Sequence, residues 1–158
     1  MATYKSIYPL EIYKKIHKIS NTPMKIFEIC NIPGMEKFPG YFLTSTGFVI
    51  SHKWKNPSVL RPGKSRKISP YHFVRLSSKD GEKKQFYIHR LVAMAFLPCE
   101  DTHKIEVNHK NRNGLDNNVN NLEWVTHREN SEHYKNFNDD ESIMKRYRDL
   151  VNLDGSLK

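Results

Sequence analysis

Residues Ile105–His133 read IEVNHKNRNGLDNNVNNLEWVTHRENSEH, and the fold turns on how that stretch is parsed. A short alternating run ends in Asn108-His109. An Asn-rich segment from Lys110 to Asn120 follows, of a composition that tolerates tight and left-handed turns. A second short run, Leu122-Glu123-Trp124-Val125, then leads into a helix. Thr126 with Glu129 three positions later has the spacing of a capping box, which predicts a helix over Arg128–Phe137. The stretch is therefore a strand, an Asn-rich turn, a strand and a helix, and the rest of the chain is read outward from it.

Immediately upstream the period changes from two to about four at His89, and His89–Phe96 (HRLVAMAF) predicts a helix that Pro98 stops. Leu91, Val92, Ala95 and Phe96 form its buried side. His89 lies at a strand-to-helix junction, where capping or packing is favoured over catalysis. Before it, Tyr41–Ser45 and Phe48–Ser51 form two β-prone runs joined at Thr46-Gly47, and Phe73–Ser77 and Gln85–Ile88 flank the turn Lys79-Asp80-Gly81. These four runs predict one small antiparallel sheet with a polar, basic face. Met24–Pro39 is irregular, and Lys53–Lys67, with Pro57, Pro62 and Gly63, reads as a loop that a ligand could order. Tyr8–Ile19 and Asp139–Leu153 carry apolar residues at helical spacing, and each predicts a terminal helix docked on the body.

The chain has 158 residues, 37% of them hydrophobic, with mean hydropathy -0.72. That supports only a modest core, expected as two small clusters. No apolar run approaches a membrane span and the N-terminus lacks the apolar middle of a secretion signal, so an intracellular protein with no membrane partner is expected. Cys30 and Cys99 have no neighbouring cysteine, which argues against a disulfide framework or structural zinc and for buried or half-buried thiols. The formal charge is +9. Ser51–Arg90 alone holds eleven basic and two acidic residues, interleaved with aromatics, which is the electrostatic footprint of a phosphate-backbone surface rather than of an ordinary solvated face. Lys53, Lys55, Arg61, Lys64, Arg66, Lys67, Arg75, Lys83, Lys84 and Arg90 are the candidate contacts to double-stranded DNA. RNA is a third reading, since the aromatics could stack unpaired bases.

Val107-Asn108-His109, the Asn-rich turn, Asn121–Thr126 (NLEWVT) and Glu129-Asn130 together resemble the HNH endonucleases, within them the homing-endonuclease branch built on a ββα-metal module. His89-Arg90-Leu91-Val92-Ala93 with Ala95-Phe96 resembles that family's lead-in helix. Pro39-Gly40-Tyr41, Ser45, Gly47 and Val49 resemble the small modular domain that accompanies it. The resemblance covers residues 35 to 135 and implies an α+β protein divided into an N-terminal helix and arm (1–34), a basic antiparallel-sheet region (35–88), the nuclease module (89–137) and a C-terminal helix (138–158). It implies that His109 is the general base and that Asn121 serves the catalytic loop by fixing it. Asn108 and Asn130 would hold a divalent cation, Mg²⁺ or alternatively Mn²⁺. His133, three residues after Asn130, is a second candidate ligand.

Two departures from the family pattern stand out. Many relatives carry Asp where this chain has Asn108, and the turn after His109 has Asn111-Arg112 where Asp-Gly is usual. Arg112 is either a phosphate contact or an exposed turn residue. One module carries one active site and cuts one strand, so the resemblance implies nicking by a monomer, or double-strand cleavage through a weak dimer. The competing reading is a DNA-binding regulator or architectural protein whose module has lost activity.

Overall fold

The computed structural model describes residues 24–55, 57–64 and 71–138. The two terminal helices expected from sequence, and with them the end segments 1–23 and 139–158, lie outside the described residues, as do Arg66 and Lys67. The chain divides into two compact units, one of Met1–Glu100 with Val107–Trp124 and the other of Asp101–Glu106 with Val125–Lys158.

In the larger unit, β1 (Ile26–Glu28), β2 (Tyr41–Thr44), β3 (Val49–Ser51) and β4 (Ser58–Val59) form a four-stranded sheet in that order, antiparallel throughout. A second antiparallel sheet follows, of β5 (Gly63–Lys64), β6 (His72–Ser77) and β7 (Lys83–Tyr87). The α+β class holds, but the four runs read from sequence divide between two sheets instead of making one. β1 arises in a stretch read as irregular, and β4 and β5 in one read as loop. These strands have two or three residues each, too short for period-two alternation to show, and they exist because a longer neighbour supplies hydrogen-bond partners.

The β2–β3 turn needs a glycine. Gly47 sits at φ +88°, a region costly for residues with a Cβ, while its amide donates to the Thr44 carbonyl at 3.0 Å and the Thr44 amide to the Phe48 carbonyl at 2.9 Å. β7 passes directly into α1 (Ile88–Phe96), one residue earlier than the sequence suggested and without a side-chain cap. Leu97, which precedes Pro98, is extended, as a residue before proline is biased to be, and the helix ends there.

One continuous core joins both sheets to α1, where two small clusters were expected. Ile29 and Ile32 from the turn after β1, Leu43 and Val49 from the first sheet, Val74 and Leu76 from the second, and Leu91 and Val92 from α1 are all buried in it. Tyr41 adds a polar tie between the sheets, its hydroxyl accepting from the Ser77 amide at 3.0 Å. Hydrophobic burial of this kind contributes roughly 1.5–3 kcal/mol per large side chain. The Asn-rich stretch attaches to this core through β8 (Glu106–His109) and β9 (Leu122–Val125), which pair as a two-stranded sheet. Leu122 is buried, and the half-buried Trp124 donates its Nε1 hydrogen to the Leu97 carbonyl at 3.0 Å. Both are packing residues. Cys30 is half-buried, but Cys99 is exposed, because it lies beyond the helix stop rather than within an element. Among the described residues no helix is long and apolar enough to cross a membrane.

Candidate active site

Asn108 and His109 close β8 and are each only 4% exposed. Asn108 donates its amide hydrogen to Glu123 Oε1 at 2.9 Å. A carboxylate only accepts, so this bond fixes which way the amide lies and leaves the Asn108 oxygen for another partner. His109 Nε2 lies 3.4 Å from Asn117 Oδ1, and the Tyr71 ring stacks on the imidazole at 5.5 Å with 12° between the planes. Burial pushes the His109 pKa below 6.5, partly opposed by the Asn117 hydrogen bond and the Asp116 charge. The imidazole is therefore neutral at pH 7, the form able to accept a proton.

The loop between β8 and β9 is laced by its own asparagines. Asn121 Oδ1 accepts from the Asn111 amide at 3.0 Å, and its Nδ2 donates to Asn111 Oδ1 and to the Asp116 carbonyl, each at 2.9 Å. Its carbonyl also accepts from the Lys110 amide at 2.8 Å. This single side chain spans the turn that leaves His109. That turn closes through the Arg112 amide on the His109 carbonyl at 2.8 Å, and Arg112 sits at φ +61°. A non-glycine residue thus occupies the left-handed position, the physical content of the departure noted from sequence.

His89 is 5% exposed at the start of α1. It packs against Tyr71 and His109, with ring centroids 4.5 and 5.2 Å away, and makes no capping bond. Burial, then the neighbouring His109 and Arg90, hold its pKa down to about 3. His89 is a packed, neutral ring.

In the smaller unit, Thr126 opens α2 (His127–Asn138) with the capping box read from sequence. The Thr126 hydroxyl accepts from the Glu129 amide at 3.2 Å, and Glu129 Oε2 accepts from the Thr126 amide at 2.7 Å. Asn130 donates its amide hydrogen to Glu106 Oε2 at 2.6 Å, and His127 Nδ1 meets Glu106 Oε1 at 2.8 Å. Asn130 Oδ1 is buried without a hydrogen-bond partner. His133 is half-buried one turn further along α2.

The two asparagines therefore share one local arrangement: a carboxylate holds the amide nitrogen, and the oxygen is left over. Amide oxygens are among the hard donors that Mg²⁺ takes, so each asparagine by itself has the chemistry of a ligand to a divalent cation. Among the described residues no three His, Cys, Asp or Glu side chains gather into a metal cluster. Glu106 and Glu123 were not singled out in the sequence, although Glu123 lies in the strand opposite Asn108 and cross-strand pairing was the available signal. Asn117 was hidden among its neighbours.

The basic residues are placed unequally. Lys53, Lys55, Arg61, Lys64, Arg75, Lys83, Lys84 and Arg90 are all exposed, but their surroundings differ, with Arg75 and Lys83 on one face of the second sheet by its register. Lys84 pairs with the buried Leu76 on the opposite face and rests its ammonium over the Phe86 ring. Lys53 lies over the Tyr41 ring and hydrogen-bonds the Ser77 carbonyl, which ties it to the body. Trp54 beside it is 78% exposed.

Residues 86–132 match the HNH endonuclease family model. Two HNH endonucleases of Acanthamoeba polyphaga mimivirus, themselves uncharacterized, are similar: one is 48% identical over 64 residues, covering 40% of this chain and 16% of that protein. The other is 36% identical over 99 residues, covering 61% of this chain and 27% of that protein. The chain thus spans only a minor part of these longer relatives. Among solved structures, the HNH homing endonuclease I-HmuI, described as binding and cleaving DNA, superposes with a TM-score of 0.57 at 26% identity, over 85% of this chain and 76% of that one. The resemblance read from the motif is borne out.

Proposed function

We propose that this chain, whose residues 86–132 are an HNH endonuclease module, hydrolyses phosphodiester bonds in duplex DNA with the help of a divalent cation, one strand per active site. The observation that carries the reading is His109, a buried, neutral imidazole ending β8 beside an asparagine whose amide oxygen is held available.

In this reading His109 accepts the proton of the attacking water. Its neutral state above the acid range makes that transfer available without a prior ionisation step. Asn108 and Asn130 are assigned as oxygen ligands of the cation, each preset by a carboxylate, Glu123 and Glu106, that holds the amide by its nitrogen. The bound cation supplies charge stabilisation to the phosphate oxygens and the leaving 3′ oxygen. Asn121 holds the loop so that His109 keeps its orientation. Arg75, Lys83 and the other exposed basic residues bind the backbone and release counterions, so DNA binding weakens steeply with salt.

The test is supercoiled plasmid incubated with the protein in Mg²⁺ and in chelator. Conversion to the nicked form in Mg²⁺ alone is the expected result. Salt-sensitive DNA binding with no cleavage in Mg²⁺ or Mn²⁺ would overturn the enzyme reading and leave a DNA-binding protein.

A further inference from the structure

Asn117 is buried in the β8–β9 loop, 6% exposed. Its amide nitrogen donates to the Leu115 carbonyl at 3.2 Å, so its oxygen is the atom that meets His109 Nε2 at 3.4 Å. An amide oxygen cannot donate, so the ring nitrogen facing it must carry the hydrogen. The lone pair of the neutral imidazole then resides on Nδ1.

The first sheet backs this asparagine. The β2–β3 turn lies against it so closely that a Cβ on Gly47 would fall 2.7 Å from the Asn117 Cβ and 3.1 Å from its carbonyl oxygen. Two residues further on, the Val119 amide donates to the Ser45 carbonyl of the same turn at 2.8 Å. Gly47 is therefore required twice, for its positive φ and for the space Asn117 occupies. Tyr71 stacks on the His109 ring, which limits rotation of the imidazole out of this arrangement.

We propose that Asn117, backed by the Gly47 turn, is a positioning residue that fixes His109 as the Nε2-protonated tautomer, so that Nδ1 is the atom that takes the proton from water. The proposal rests on the nuclease reading for its catalytic consequence, while the tautomer itself is a property of the folded protein.

Two measurements test it. Long-range ¹H–¹⁵N spectra of histidine-labelled protein near neutral pH report the tautomer directly: His109 is expected with hydrogen on Nε2, and N117A is expected to show a mixture. In DNA nicking, N117A is expected to lose about 10- to 100-fold in kcat with little change in KM, as for the loss of a residue that orients a site group. N117D, which keeps an acceptor in place, is expected to recover most of it. G47A is expected to lose kcat in the same way, with backbone spectra establishing that it remains folded.

A wild-type His109 carrying hydrogen on Nδ1 overturns the proposal, as does N117A cutting at the wild-type kcat. A wild-type protein that does not cut overturns the nuclease reading instead, and the spectrum alone then decides the tautomer.

Discussion

Replacing His89 with leucine should make the protein more resistant to acid. The folded chain holds His89 neutral down to about pH 3, mainly by burial, whereas an unfolded histidine titrates near 6.5. Between those values the unfolded chain binds a proton that the folded chain does not, so stability falls as the pH is lowered through this window. The gap corresponds to a ceiling of about 5 kcal/mol, lost at about 1 kcal/mol per pH unit once the pH is below 6. Burial lowers His52, His72 and His109 as well, so the wild-type slope exceeds one proton. The informative quantity is the difference between proteins. Urea unfolding at half-unit steps from pH 7 to pH 4 should show His89→Leu losing about 1 kcal/mol less per pH unit than wild type below pH 6. Leucine also loses the ring contacts with Tyr71 and His109, which shifts the stability at pH 7 without restoring the slope. Equal slopes for the two proteins would refute the claim that His89 is buried as a neutral ring.

Three further outcomes follow from the site. Arg112→Asn should raise stability by about 1 kcal/mol, because Arg112 occupies φ +61° and asparagine tolerates that region better; the thermal midpoint reads this. Glu123→Ala removes the acceptor that orients the Asn108 amide, so the Mg²⁺ concentration for half-maximal nicking should rise about tenfold. The acid limb of single-turnover cleavage should lie below pH 6.5, since burial lowers the His109 pKa and a general base works only when deprotonated; a pH–rate profile in a fixed metal concentration checks the position.

What the sequence made legible was local. Strand, Asn-rich turn, strand and capped helix follow each other within Ile105–His133, and Thr126 with Glu129 marks the start of α2 through contacts three residues apart. The division of the upstream strands between two sheets was not legible, because pairing partners are chosen across loops and β4 and β5 exist only against β3 and β6. Nor was the setting of the site. Tyr71 comes from the basic segment Ser51–Arg90, between the run read as loop and the run read as strand, yet it stacks on His109. Asn117 is one of several asparagines in its segment, and only its burial and its bond to His109 separate it from them. The rings beneath Lys53 and Lys84 were equally hidden, because which aromatic a basic side chain rests on depends on pairing across strands and not on its neighbours in sequence.

The central claim is that His109 is the base of a metal-dependent DNA nuclease. Single-turnover nicking of plasmid by wild type and His109→Ala, in saturating Mg²⁺ and with equal DNA binding verified, tests it most directly. The account predicts that the variant binds DNA as wild type does and cuts about 10²- to 10⁴-fold more slowly. Cleavage at the wild-type rate by His109→Ala would contradict it.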